Sequence, residues 1–430
     1  MELERDSSWK SFPLSPKGML ENLTGYWREM RPYQEERLSP CRAACPVGED
    51  IPAYIALAST GKYEEAFFKI TEENPLPAVC GRVCFHPCEE SCLRAELDGS
   101  VSIHRVERFL GDYGLKHLTF SPSRRSAKGT IAIIGSGPAG LSAAYHACKL
   151  GHTVTLFEGE KRLGGLLRYG IPSYRLPRRV LDHSIKMILA MGLEVRTGFR
   201  LRDEQSWKEL DKFDAIFLAL GAHESMMPVI TGLKSSEVIG GLEFLKEINS
   251  SNSNSSRKKV GKRVAVVGGG NTAIDAARVC RRFGAEVEII YRRSRKEMPA
   301  HESEIIPALN EGIRLREQCL PIRIESNSRG GLKLVCQKTE PKGQDHSGRT
   351  LYEPTSGSES ILKVDTVIMA AGQTFSVPAY TGPVKFSPEG ITVSKYLRCD
   401  GGKYFAGGDA VPGIRRVCKN RGDVHKNIRF

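Results

Sequence analysis

TIAIIGSGPAGLSAAYHACKLGHTVTLFEGEKR, residues 130–162, and RVAVVGGGNTAIDAARVCRRFGAEVEIIYRRSR, residues 263–295, align without a gap. Each reads as a short apolar strand, a glycine turn, an amphipathic helix, a glycine stop and a second strand. Gly135, Gly137 and Gly140 fall opposite Gly268, Gly270 and Ala273, while Pro138 and Ala139 fall opposite Asn271 and Thr272. This is the pattern G-x-G-x-x-G/A. Its first glycine makes the tight turn, its second lets backbone approach a pyrophosphate, and its third packs helix on strand. The helix start then presents unsatisfied N–H groups to phosphate oxygens. One such triplet matches many ordinary loops, but two copies in strand–helix context predict two nucleotide-binding domains of the α/β class.

The copies differ where the difference carries chemistry. The first ends its second strand at Glu158, whose carboxylate can accept from ribose hydroxyls. The second has Tyr291 there, followed by Arg292 and Arg293. A carboxylate repels a 2′-phosphate, whereas guanidinium groups bind it through charge-assisted bonds. The first site therefore suits the adenosine of FAD, and the second suits NADPH over NADH. The plainer alternative for the arginines is a solvated basic strand end.

Other stretches fit the same scheme. FDAIFLALGA (213–222) and VDTVIMAAGQ (364–373) are apolar strands ending in small-residue turns at comparable places in the two halves, the second turn carrying Gly372. YFAGGDA (404–410) sets Gly408 and Asp409 after an apolar strand, where a carboxylate could accept from a flavin's ribityl hydroxyl.

The chain has 430 residues, room for two or three domains. A net charge of +13 points to anionic partners such as phosphorylated cofactors, or simply to a basic surface. Aromatics do not interleave with a basic region, so nucleic acid is a poor fit. The first thirty residues hold no apolar run suited to a signal peptide, and no stretch of about 18 apolar residues occurs, so no membrane span is expected. A reducing cytoplasm is the expected setting, where clustered thiols suggest metal or redox chemistry before disulfides.

NPLPAVCGRVCFHPCEESC (74–92), GGLLRYGIPSYRLPR from Gly164, and GGGNTAIDAARVC with YRRSRKEMPAHESE resemble the small subunit of glutamate synthase and its relatives, including the flavin-bearing half of dihydropyrimidine dehydrogenase. The resemblance runs from about Thr24 to Gly413. It implies an α/β protein with two Rossmann-like domains, for FAD and NADPH, preceded by an α-helical iron–sulfur domain. It further implies Gly164, Gly165 and Leu166 against the flavin, and Asn271, Thr272 and Asp275 at the NADPH loop. The boundaries expected are 1–126 for the helical cluster domain, 127–259 and 364–430 for the two parts of the FAD domain, and 260–363 for the NADPH domain. Residues 121–129 read as a linker, 248–259 as a flexible insertion and 337–360 as a long polar loop.

Within the helical domain, Cys80, Cys84, Cys88 and Cys92 recur at every fourth residue, and Cys41 and Cys45 form C-x3-C followed by Pro46. Pro87 interrupts any continuous helix through the four, so a simple helical stripe is disfavoured. Zinc lacks its usual C-x2-C pairs, which leaves iron–sulfur ligation as the leading reading over zinc or plain buried thiols. By the resemblance, Cys45, Cys84 and Cys88 belong to one [4Fe–4S] cluster, with Cys80 or Glu107 completing it. Cys41 and Cys92 belong to a second cluster that lacks two ligands. Cys148 and Cys280, at aligned places in the two fingerprint helices, read as core packing.

The function expected is hydride transfer from NADPH to FAD, with electrons passing through a [4Fe–4S] cluster to a larger catalytic subunit or an electron-acceptor protein. The alternatives are a reductase for another acceptor, pyrimidine-reducing or ferredoxin-linked, and a catalytically silent scaffold. No catalytic acid–base pair is assigned. His301, Glu302 and Glu304 read as a solvated helix start. After Gly413 only IRRVCKNRGDVHKNIRF follows, where the resemblance implies a long helix aimed at the flavin, so a shortened FAD half-domain with loosely held FAD is expected.

Overall fold

The computed structural model describes residues 38–122, 129–232, 238–250, 260–326, 331–344, 350–399 and 402–412. The segment after Gly413, with Cys418, and most of the two expected linkers lie outside them.

From Pro40 the chain is helical: Pro40–Ala44, Ile51–Ser59, Tyr63–Thr71, Pro77–Val83, Pro87–Glu90 and Ile103–His117. Proline stands at the first or second position of several of these, where its missing N–H costs nothing. Tyr63–Thr71 shows the expected amphipathic spacing, burying Ala66, Phe67 and Ile70. The helix carrying Cys80 stops at Val83, and a separate one begins at Pro87. The proline break therefore divides the four-residue cysteine repeat among distinct elements.

Two parallel five-stranded sheets follow. The first orders Tyr404–Ala406, Ala215–Leu218, Thr130–Ile134, Thr153–Glu158 and Glu194–Thr197. The second orders Val238–Gly240, Thr366–Met369, Arg263–Val267, Glu286–Ile290 and Arg314–Arg316. Parallel strands buried on both faces read as unbroken apolar runs, which is why IAII and VAVV carry no alternation. In each sheet the fingerprint strand lies between its helix's return strand and one of the two look-alike strands.

That pairing moves one boundary. Thr366–Met369 hydrogen-bonds to both Arg263–Val267 and Val238–Gly240, so it completes the second sheet. The second domain thus takes in 238–250 and 364–369, and only the strand at Tyr404 returns to the first sheet. The stretch expected as a polar loop also differs. The second half of Leu332–Gln344, from Thr339, pairs antiparallel with Thr350–Pro354 as a largely exposed polar ribbon, while its first half is buried between Cys319–Ser326 and Ser360–Val364. No helix among the described residues is long and apolar enough to cross a membrane.

Candidate functional site: two nucleotide cradles and a cysteine cluster

Both glycine turns sit at the carboxyl ends of their parallel strands, where open α/β sheets bind ligands. Gly135 has φ 107°, and a Cβ there would lie 2.3 Å from the Ala219 carbonyl oxygen. Its counterpart Gly268 has φ 140°, and a Cβ there would lie 2.1 Å from the Ala370 carbonyl oxygen. The two look-alike strands thus press the same backbone atom against the two turns. Gly137 and Gly270 differ from their neighbours: a Cβ on either meets nothing within 4 Å. These are the open floors of the two cradles, each standing as N-cap to a helix with free N–H groups.

In the first cradle Glu158 is buried at its strand end. It accepts from the Ser136 N–H at 3.0 Å, from the Ser136 hydroxyl and from the Glu160 N–H at 2.8 Å. The Ser136 hydroxyl in turn accepts from the Gly164 N–H at 3.0 Å. A Cβ on Gly165 would come within 2.8 Å of the Gly137 Cα. Gly164 and Gly165 are thereby brought onto the glycine turn. Gly408 and Asp409 form a short turn after Tyr404–Ala406, tied by the Gly407 N–H to the Leu218 carbonyl.

His223 escaped the sequence reading. It follows the small-residue turn of the first look-alike strand, and its ring is open to solvent although it lies deep among protein atoms. Burial and then Lys246 lower its imidazole pKa, opposed by the carboxylates of Glu158 and Asp409. Its only signal in the sequence was position.

In the second cradle the Asn271 Oδ1 is buried without a hydrogen-bond partner among the described residues. An orphaned acceptor beside an open glycine is what a bound nucleotide satisfies. Thr272 accepts from the Gln373 amide at 3.2 Å, and Ala273 is fully buried. The Gly372 carbonyl accepts from the Met226 N–H. Tyr291 lays its ring against Gly269 and donates its hydroxyl to the Glu297 carbonyl. The backbones of Arg292 and Arg293 are fixed by Thr339 and Gln318, yet neither guanidinium makes an ion pair with a described acid. Both remain available to a phosphate.

Asp275 does not face that cradle. Its carboxylate, buried on the second turn of the helix Asn271–Arg282, pairs with Arg175 at 2.7 Å. Glu304 pairs with both Arg175 and Arg278 at 3.1 Å, so it is no solvated helix residue. His301 is the N-cap, accepting from the Ser303 N–H.

The cysteines fall into two environments. Cys88 packs in one core with Ile51, Tyr54 and Leu110, and Cys41 and Cys45 lie against it. Cys80 packs in another core, with Val79, Val83 and Leu76, and Cys84 lies at that core's edge. Burial and then Glu49 push the Cys45 thiol up to about 12. Burial, followed by Cys45 and Glu107, pushes the Cys88 thiol higher still. Asn74 donates to Glu49 at 2.8 Å and to Glu107 at 2.7 Å, holding two buried carboxylates beside these thiols. Thiols and carboxylates crowded into a buried space are costly to ionise, and a positively charged metal cluster reverses that cost. The donor set fits an iron–sulfur cluster. Cys92 stands just before the turn Leu93–Glu96, and the Cys84 sulfur accepts from the His86 N–H at 3.5 Å.

Residues 129–423 match the family model described as pyridine nucleotide-disulphide oxidoreductase. The chain belongs to that family. Residues 35–118 match a second family model, dihydropyrimidine dehydrogenase domain II, 4Fe-4S cluster. The chain is 38% identical to the NADPH-Fe(3+) oxidoreductase subunit beta of Geobacter sulfurreducens, over 92% of this chain and 64% of that one. It is equally similar to the NADP(+)-dependent formate dehydrogenase subunit beta of Moorella thermoacetica, 38% over 90% and 58%. It therefore spans less than two thirds of these relatives' length. The glutamate synthase [NADPH] small chain of Escherichia coli K12 is 34% identical over 87% of this chain and 84% of its own, which bears out the resemblance read from the motifs. Mycobacterium tuberculosis FprA in complex with NADPH superposes with a TM-score of 0.59 at 19% identity, over 70% of this chain and 83% of that one, and shows the fold. The cofactor set of the family is FAD, NADPH and a [4Fe–4S] cluster, and the two cradles and the cysteine cluster fit it.

Proposed function

We propose that the chain takes hydride from NADPH onto FAD and sends electrons through one [4Fe–4S] cluster to an acceptor on a partner protein. The observation that carries this reading is the pair of open cradles with opposite charge at corresponding strand ends, Glu158 in one and Arg292 with Arg293 in the other. Gly137, Glu158, Gly165 and Asp409 would hold the FAD, while Gly270, Asn271 and the two arginines would hold the NADPH diphosphate and 2′-phosphate. Cys45, Cys84, Cys88 and Glu107 would hold the cluster. Bound there, the flavin would supply two-electron acceptance and one-electron release, which a cluster requires. The residues contribute positioning, so no acid–base pair is needed.

The relatives named as beta subunits support a partner subunit, and their printed acceptors differ, with ferric iron in one. That favours a separate acceptor protein over a built-in one. An anaerobic visible spectrum of the whole chain, loaded with flavin and iron, tests the reading. NADPH should bleach the flavin and cluster bands, and NADH should do so far more slowly. A loaded chain that keeps its colour under saturating NADPH overturns it.

A further inference from the structure

Three side chains outside the thiol set converge beside it. His86, Glu89 and His104 each place a ligand-type atom within 4.8 Å of the other two, and all three are half-buried. Glu89 lies on the short helix begun by Pro87, and His104 on the first turn of Ile103–His117. One Glu89 oxygen, Oε1, lies 2.8 Å from both the His104 backbone N and its Nδ1. The His86 and His104 rings stack with centroids 4.1 Å apart.

Helix capping accounts for part of this. A carboxylate accepting a first-turn N–H is an ordinary cap, and it explains Glu89 with the His104 backbone. It does not explain His86. That residue holds a left-handed backbone, φ 52° and ψ 52°, uncommon for a side chain of this size. Its Nε2 is buried with no hydrogen-bond partner among the described residues. Strain together with an unmet polar atom asks for a ligand. Two imidazoles and one carboxylate are the donors that zinc and other first-row divalent ions select, whereas thiolates select the iron–sulfur cluster. A cavity of about 260 Å³ opens onto His86 and His104 and gives an ion a way in. Of the arginines lining that cavity, Arg82 is paired with Asp112 and Arg175 with Asp275 and Glu304, which leaves Arg108 as the opposing charge.

We propose that His86, Glu89 and His104 form a site for one divalent transition-metal ion of the zinc class, separate from the thiolate cluster. The ion would tie the turn that carries Cys84 and Cys88 to the helix Ile103–His117, a structural clamp and no part of electron transfer.

The test is anaerobic titration of the holoprotein with Zn2+ against a chromophoric chelator, with iron and zinc counted by mass spectrometry. One tight zinc per chain is expected with iron content unchanged. His104→Phe keeps a ring to stack on His86 but offers no ligand atom, and Glu89→Gln weakens the donor set. Each should bind zinc at least tenfold more weakly at unchanged iron content. Equal zinc affinity in the parent and His104→Phe overturns the proposal. So does zinc uptake that displaces iron, which would put the ion among the cysteines.

Discussion

The Asp275 carboxylate meets the Arg175 guanidinium at 2.7 Å, with both side chains less than a tenth exposed. The pair joins the helix after the second glycine turn to the GIPSYRLPR stretch that follows the first cradle. Tyr174 lies alongside, its ring under the guanidinium of Arg282 at 3.7 Å and of Arg278 at 5.0 Å. The two nucleotide-binding halves are thus fastened by a buried ionic network, not by apolar packing alone.

Removing one partner of a buried pair leaves an uncompensated charge and costs about 3–5 kcal/mol. Arg175→Leu should lose stability of that order in denaturant unfolding, and adding Asp275→Asn should restore part of it. Burial, offset in part by Arg175 and reinforced by Glu304, places the Asp275 carboxyl at about 6, above the 3.8 of the free group. A raised carboxyl pKa favours folding fully below 3.8, and that contribution fades as pH rises through about 6. Without Arg175 the carboxyl rises further, so the loss in Arg175→Leu should be larger near pH 8 than near pH 5. A loss independent of pH would place the cost elsewhere.

Gly137 and Gly270 have ordinary extended backbone (φ −68° and −89°) and open space where a side chain would go. Gly137→Val and Gly270→Val should therefore fold with a penalty of about 1 kcal/mol, that of a poorer N-cap. The first should fail to retain FAD, and the second should bind NADPH at least tenfold more weakly. Gly140→Val is the contrast, because its Cβ would stand 1.8 Å from the Gly135 carbonyl oxygen and should prevent folding. Normal FAD content in Gly137→Val would show that the diphosphate does not lie on that turn.

Replacing Arg292 and Arg293 together by alanine removes charge-assisted bonds worth about 1.5–3 kcal/mol each. The expected outcome is a fall of about 10²- to 10⁴-fold in kcat/KM for NADPH with an artificial acceptor, and little change for NADH. Equal falls for both nucleotides would mean that the arginines act on the fold.

Iron should approach four per chain, the load of one [4Fe–4S] cluster. Cys88→Ser should lose most of it, since that thiol shares its buried space with Cys45 and Glu107. Cys80→Ala should keep it, because Glu107, close enough to Cys88 to shift its thiol, completes the proposed set of Cys45, Cys84 and Cys88. Loss of iron in Cys80→Ala would return Cys80 to the ligand set.

The repeated fingerprint, the break at Pro87 and the charge difference between Glu158 and the two arginines were legible in the sequence, because each is a local rule. Glycine is needed where backbone must turn left-handed or approach a phosphate, and proline ends a helix wherever it falls. Strand partnership is not local. VDTVIMAAG looks the same whichever sheet it joins, and only the hydrogen bonds of Thr366–Met369 to Arg263–Val267 and Val238–Gly240 assign it to the second. The same holds for side chains whose partners lie far along the chain. Asp275 sits at the expected loop by sequence, but burial beside Arg175, a hundred residues earlier, turned its carboxylate to the seam. Cys80 keeps the cysteine spacing, yet its place on the helix Pro77–Val83 sent it into a different core from Cys88. His223, whose imidazole feels the charges of Glu158 and Asp409, had no pattern to announce it. Spacing decides what a segment can do by itself, and tertiary packing decides which distant charge or thiol it meets.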